Sequence, residues 1–180
     1  MLSNSDTRVG AVRFLLAWSI LSNVGYKSQV DHTLLPPALA ECLCAMNLET
    51  QSSSALLSQW RHVTGALIPP SKTMSSDDPR QFNISQLARD VNDVLRSFAS
   101  PDDIGRFANM TEILRQGAYV GYVTLVQPTT WAFEWEDEAD GRHANELVVF
   151  PALVQISDEH GRPRNKALRS MDKQSVPRAR

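Results

Sequence analysis

The 180 residues include 42% apolar and 21% charged side chains, which is enough apolar material for a packed core and excludes wholesale disorder. The length fits one domain. The formal net charge is −2, yet residues 161–180 hold seven basic side chains against one acid, so a basic C-terminal segment follows an acidic body.

The first two-thirds of the chain have the apolar periodicity of helices. Residues 9–22 are apolar nearly all round, which is typical of a buried helix. The pair Pro36-Pro37 after Thr33 predicts the start of a second helix. A third helix is predicted, with an apolar stripe formed by Leu56, Trp60, Val63 and Leu67.

The clearest helix is predicted over residues 84–98. One of its faces is apolar and is formed by Ile84, Leu87, Val91, Val94, Leu95 and Phe98. Ser100-Pro101 then predicts the capped start of a further helix, which continues to Gly117. Because the connection is very short, the two helices are expected to pack as antiparallel neighbours.

After Gly117 the pattern changes from helical spacing to that of strands. Tyr119–Val126 is rich in aromatic and β-branched residues and is predicted to be a strand. A second strand is predicted where Trp131, Phe133 and Trp135 alternate with smaller or acidic residues. Leu147–Ile156 is its predicted partner, and Pro151 within it indicates an edge strand or a bulge.

These elements predict an α+β fold with an N-terminal helical bundle of about five helices, a small antiparallel sheet and a mobile basic tail. Residues 1–160 are expected to form a single domain. Residues 161–180 lack apolar periodicity and are expected to be a flexible tail.

An acidic segment near the predicted hairpin is the best candidate for a chemical site; it contains Glu134, Glu136, Asp137, Glu138 and Asp140, with His143 beyond. Carboxylates bind hard cations, and a histidine can act as a general base. The spacing does not match a calcium-binding loop, and a solvated acidic hairpin tip is the simpler explanation of the pattern. We therefore assign no metal, cofactor or catalytic residue. Cys42 and Cys44 are too few for a zinc site.

The segment Trp131-Ala132-Phe133-Glu134-Trp135, which follows a helical body with Arg115 near a helix end, resembles coat proteins of flexuous filamentous RNA viruses of plants and fungi. The resemblance covers residues 115–170, and the predicted helices within 34–98 are similar in length to those of helical-rod coat proteins. It departs from the family pattern in three ways. One residue is missing after Ala132, Glu134 replaces an aspartate, and no basic residue precedes Trp131. The resemblance implies self-assembly and RNA binding, with Arg115 as a contact.

The leading hypothesis is a non-enzymatic structural protein that self-assembles and engages RNA or another polyanion. Its predicted interface is formed by Trp131, Phe133 and Trp135. Its predicted nucleic-acid contacts are Arg115, Arg162, Arg164, Lys166, Arg169 and Lys173.

Two alternatives stay open: a small enzyme with an acidic hairpin site around Glu134–His143, and an adaptor or pathogen effector that binds a host protein. The basic segment has two other interpretations, docking on an acidic surface of a neighbouring subunit or simple solubilisation. The apolar run Phe14–Leu21 has eight residues, too few to span a bilayer, so no membrane span is expected. We expect a cytoplasmic protein (host cytoplasm or virion if viral) rather than a secreted one.

Overall fold

Helices fill the N-terminal part of the chain and strands the C-terminal part, which confirms the predicted α+β class. The computed structural model describes residues 5–25, 30–46, 51–98, 103–136 and 146–177. The α-helices in these ranges are α1 (Ser5–Leu21), α2 (Pro37–Ala45), α3 (Gln51–Leu67), α4 (Arg80–Arg96) and α5 (Asp103–Leu125). No helix in these ranges has the length and apolar content needed to cross a membrane.

Short strands form two antiparallel sheets. The strands in the described part of the chain are β1 (Trp131–Glu134), β2 (Glu146–Phe150), β3 (Ala152–Ser157), β4 (Pro163–Met171) and β5 (Gln174–Pro177). One sheet has the order β1-β3-β4, and the other pairs β2 with β5. α1 packs against α4 and α5 on the helical side and against β2 on the other, so it connects the bundle to the strands.

Pro151 marks the point where the chain passes from one sheet to the other. The sequence predicts one strand over residues 147–156, interrupted by this proline. In the structure β2 pairs with β5, whereas β3 pairs with β1 and β4. Proline has no N–H to donate to a strand ladder, so the pairing breaks there. The ring of Pro151 is fully buried at this junction.

The predicted strand at Tyr119–Val126 is wrong, because α5 continues to Leu125. Aromatic and β-branched residues favour strands only where they fit a pleated surface, and tertiary packing overrides that preference. Here Tyr122 is buried in the helical core, and its hydroxyl donates a 2.6 Å hydrogen bond to the Ile68 carbonyl oxygen beyond α3.

Two glycines explain why this segment packs well as a helix. Gly117 and Gly121 lie four residues apart on α5, and therefore on one face of the helix. A Cβ atom on Gly117 would overlap the side chain of Ile20, and one on Gly121 would overlap Val24. The absence of side chains at these positions lets the C-terminal end of α1 and the segment after it approach α5 closely.

The expectation of a mobile basic tail also needs correction. Residues 163–171 form β4 and residues 174–177 form β5, and both pair with strands of the body. Every residue of β4 is exposed, so the strand lacks the alternation of apolar and polar residues that identifies a half-buried strand. Residues 178–180 of the predicted tail lie outside the described residues.

The helical core consists of two clusters. The larger one contains Val24, Leu34, Ile84, Ala88, Val91, Leu95, Met110, Leu114 and Ala118. The second contains Leu35, Leu43, Tyr122, Leu125 and Val126. The predicted apolar face of α4 is confirmed at Ile84, Val91 and Leu95, and Leu87 is partly buried against the first cluster, whereas Val94 and Phe98 are exposed.

Leu114 is fully buried in the larger cluster, so Leu114→Ala should leave a cavity and lower the free energy of unfolding by about 2–5 kcal/mol. Phe82→Ala is the control at a position 71% exposed and should cost less than about 0.5 kcal/mol. Urea unfolding followed by circular dichroism measures both. Equal costs for the two variants would contradict this core.

Candidate functional site

α3 carries apolar residues on its exposed face. Leu56, Val63 and Leu67 are 65%, 52% and 76% exposed, so most of the predicted apolar stripe faces away from the core. Their spacing of seven and four residues places them on one side of the helix. We call these three residues the α3 stripe. The fourth member of the predicted apolar stripe, Trp60, is partly buried against the second core cluster.

The buried face of α3 is partly polar. Ser58, Arg61 and Thr64 are all buried. Ser58 Oγ donates to the carbonyl oxygen of Glu159 at 2.7 Å, and Arg61 Nη1 donates to Thr130 Oγ1 at 3.0 Å. These acceptors lie in the β3–β4 turn and just before β1, so side-chain hydrogen bonds across the fold determine which face of α3 points inward.

The predicted nucleic-acid contacts near the C-terminus lie on or beside β4, the outer strand of its sheet. They are Arg162, Arg164, Lys166, Arg169 and Lys173. The structure therefore brings together five of the six predicted contacts along an exposed sheet edge. We call this group the β4 basic edge.

Two members of the β4 basic edge are paired with acids of the body. Arg162 Nε lies 2.8 Å from Asp158 Oδ2, and Arg169 Nη2 lies 3.1 Å from Glu134 Oε2. Both pairs reduce the positive charge presented to a partner. Glu134 was a candidate for the acidic site, and its described ion pair is with Arg169.

Arg164 and Lys166 are the members whose charge is most available. Arg164 Nε lies 3.4 Å from the carbonyl oxygen of Ser157, and the part of the chain that the structure describes places no carboxylate within ion-pair distance of either residue. Lys173 Nζ lies 3.5 Å from the carbonyl oxygen of Glu136.

Arg115, the sixth predicted contact, lies on α5, where its described contacts are with other helical residues. Its Nη2 donates to Gln81 Oε1 of α4 at 3.2 Å, and Nη1 lies 3.8 Å from Glu112 Oε2 on α5 itself. Its Nε is buried and has no hydrogen-bond partner among the described residues. These contacts connect α4 and α5.

The predicted aromatic interface is partly buried within the molecule. The ring of Trp135 lies 5.6 Å from that of Phe14 and 5.4 Å from that of Trp18, both edge-on. Phe133 packs against the larger core cluster. Trp131, Phe133 and Trp135 also line a cavity of about 370 Å³ between β1, α5 and the end of α1. Their role as an interface between subunits stays a prediction.

The acidic hairpin site lies mostly outside the described residues, which omit 137–145 and thus Asp137, Glu138, Asp140 and His143. Within the residues that are described, no three His, Cys, Asp or Glu side chains are arranged to hold a metal ion.

Asp158 organises the turn that leads into the β4 basic edge. Its Oδ1 accepts the backbone N–H groups of Arg162 and His160, each at 2.9 Å, while the Arg162 guanidinium donates to Oδ2. Gly161, with φ 77°, supplies the left-handed conformation that the turn requires. The backbone hydrogen bond from Arg162, followed by that from His160 and by the Arg162 side chain, holds the pKa of Asp158 below its ordinary value.

A scan against protein-family models found none that matches the chain, and searches of curated proteins and of solved structures found no significant match. The resemblance to viral coat proteins in residues 115–170 therefore stays a prediction. Two surface features of the described residues bear on function, the α3 stripe and the β4 basic edge.

In a carbon-13 NMR titration, the Asp158 carboxyl should change its shift at a pH below the ordinary aspartate value of about 3.9. Because the largest cause is a backbone hydrogen bond, Arg162→Ala should raise this midpoint only in part. The contribution of Asp158 to stability is fully present above the ordinary value and is lost as the pH falls through the lowered one. An Asp158 midpoint at the ordinary value in the unaltered protein would contradict the turn geometry.

Proposed function

We propose that the protein is a non-enzymatic, self-assembling structural protein that engages RNA or another polyanion, as coat and nucleocapsid proteins do. Copies associate through the α3 stripe, and the β4 basic edge contacts the polyanion. The observation that carries this proposal is the exposure of three large apolar side chains along α3, on the side opposite the buried Ser58 and Arg61.

The α3 stripe is suited to contact with a second copy of the chain. Fully burying one leucine or valine side chain is worth about 1.5–3 kcal/mol. In a two-fold symmetric contact the same residues are buried on both copies, so each side chain counts twice. Helices with apolar residues at seven- and four-residue spacing pack side by side in this way. Ile68, exposed just past the end of α3, extends the apolar surface.

The β4 basic edge is suited to a polyanion because its available cations lie close together on an extended strand. Arg164 and Lys166 are two residues apart in β4, so their side chains originate within about 7 Å of each other. Contacts of this kind attract phosphates without reading bases, so binding should be largely indifferent to base sequence. Because Arg162 and Arg169 are each paired with an acidic side chain, one copy should bind a polyanion with modest affinity. Assembly then raises the overall affinity, because many copies contact the same polyanion.

Leu67→Glu places a charge in the α3 stripe and should convert oligomers into monomers, because the contact would bury an unpaired carboxylate. The matched control is Phe82→Glu, at a position 71% exposed on α4, which should leave the oligomer intact. Size-exclusion chromatography with light scattering over a concentration series measures both. Monomers of the unaltered protein at all concentrations would overturn self-assembly, and oligomers that persist in Leu67→Glu would place the contact elsewhere.

Replacing both Arg164 and Lys166 with alanine should weaken binding of a labelled single-stranded RNA and flatten its salt dependence. Each phosphate contact contributes a slope of about −0.7 in log affinity against log salt, so the magnitude of the slope should fall by about 1.4. Fluorescence anisotropy across a salt series measures it.

The control for that experiment is the double alanine variant of Arg89 and Arg96, which removes the same charge from the exposed side of α4. It should leave the slope within about 0.3 of the unaltered protein, because the lost cations touch no phosphate. Equal effects of the two double variants would show that net charge rather than the β4 basic edge determines binding. Absence of RNA binding at low salt would overturn the polyanion part of the proposal.

A further inference from the structure

We infer that the cavity beside β1 is a binding site for a small amphipathic molecule with a flat apolar body and an anionic head group. The cavity lining includes no residue of the α3 stripe or the β4 basic edge. Ligand binding there can therefore be tested independently of self-assembly and polyanion binding.

The size and shape of the cavity suit a small ligand. Its volume of about 370 Å³ lies within the range of about 300–1,000 Å³ typical of ligand pockets. A buried cavity of about 150 Å³ is known to hold one benzene ring, so this one has room for two fused or linked rings with a substituent. It lies between the end of α1, α5 and β1, three elements held together by the core, so its walls are preformed.

Aromatic side chains form one wall of the cavity. Trp131, Phe133 and Trp135 come from β1 and the residue after it, and Trp18 comes from α1. Trp18 remains 50% exposed although it contacts Trp135, so a large apolar surface faces solvent beside the cavity. Aromatic rings pair with other flat rings in stacked or edge-on geometry, which favours a planar ligand body.

Arg61 supplies a positive charge in the wall of the cavity. The side chain is only 4% exposed, and Nη1 is oriented by its 3.0 Å hydrogen bond to Thr130 Oγ1, both residues lying in the cavity wall. A guanidinium keeps its charge at all ordinary pH values and binds planar oxyanions through its fork of N–H groups. A cation in a largely apolar surround attracts an anion more strongly than one in water, so this position selects an anionic head group.

The test uses two dyes that share one ring system. The anionic dye is 1-anilinonaphthalene-8-sulfonate, and its uncharged counterpart is N-phenyl-1-naphthylamine. Three of the four tryptophans of the chain line the cavity, so binding to the full-length protein can be followed by tryptophan fluorescence as well as dye emission. We expect saturable binding of one sulfonate dye per chain, with an affinity at least about tenfold higher than that of the uncharged dye.

Substitutions locate the site. Arg61→Gln should lower the affinity for the sulfonate dye at least about tenfold and leave the affinity for the uncharged dye within about twofold of that of the unaltered protein. Trp18→Ala should lower the affinity for both dyes. The control Phe82→Ala, at an exposed position on α4, should change neither affinity. If Arg61→Gln does not fold, Arg61→Lys serves instead, because it keeps the charge but loses the planar fork and should reduce the preference for the sulfonate.

Three results would overturn the inference. The first is equal affinity of the unaltered protein for the two dyes, which would show that the site does not select an anionic head group. The second is binding without saturation, which indicates adsorption to general apolar surface. The third is unchanged binding in Trp18→Ala, which would place the dye outside this cavity.

Discussion

A buried loop connects the two halves of the helical core, and the positions of the surrounding helices depend on it. Thr33, Leu34 and Leu35 belong to no helix or strand, yet all three are fully buried. Leu34 packs in the larger cluster and Leu35 in the second.

A buried loop is stable only when its backbone polar groups have partners. Here the Leu34 N–H donates to the Asn23 carbonyl oxygen at 2.8 Å, and Asn83 Nδ2 donates to the Thr33 carbonyl oxygen at 2.8 Å. The Thr33 hydroxyl also accepts the Leu35 N–H at 3.1 Å.

These hydrogen bonds determine where the chain goes after α1, and the cavity follows from that. Because Asn23 is bonded to the loop, the next residue, Val24, is held in the larger cluster and lies against the bare backbone of Gly121. The close approach brings the end of α1 next to α5 and leaves β1 to cover the remaining side. The cavity is therefore the space between three elements whose separation depends on one buried loop and one glycine. A larger residue at Gly121 would move Val24 and change the shape of that space.

The sequence predicted the elements whose stability depends on an apolar face and mispredicted those that depend on partners distant in sequence. α4 was predicted well because its buried residues, such as Ile84 and Val91, recur at helical spacing. Tyr119–Val126 was mispredicted because its helix depends on contacts about 100 residues away in sequence, where Ile20 of α1 and Val24 just after α1 pack against Gly117 and Gly121. β4 was missed because an edge strand with both faces exposed has no apolar alternation. Of the candidate site, the basic residues near 162–173 were found by charge alone. The pairing of Arg162 with Asp158 depends on the turn at Gly161, and that of Arg169 with Glu134 depends on how the strands of the sheet are aligned.

The hydrogen bonds made by the polar residues of α3 explain why its apolar stripe faces outward. Rotating the helix to bury Leu67 would turn Ser58 and Arg61 toward solvent and break their hydrogen bonds to the β3–β4 turn and to Thr130. The carbonyl oxygen of Glu159 would then lose the hydrogen-bond donor that attaches the turn to the helix. The orientation that exposes the stripe is therefore the one that attaches the sheet to the bundle. The same orientation places Arg61 in the cavity wall and holds the turn that precedes the β4 basic edge. α3 therefore affects all three surfaces, because Ser58 and Arg61 have partners inside the chain whereas the α3 stripe is exposed.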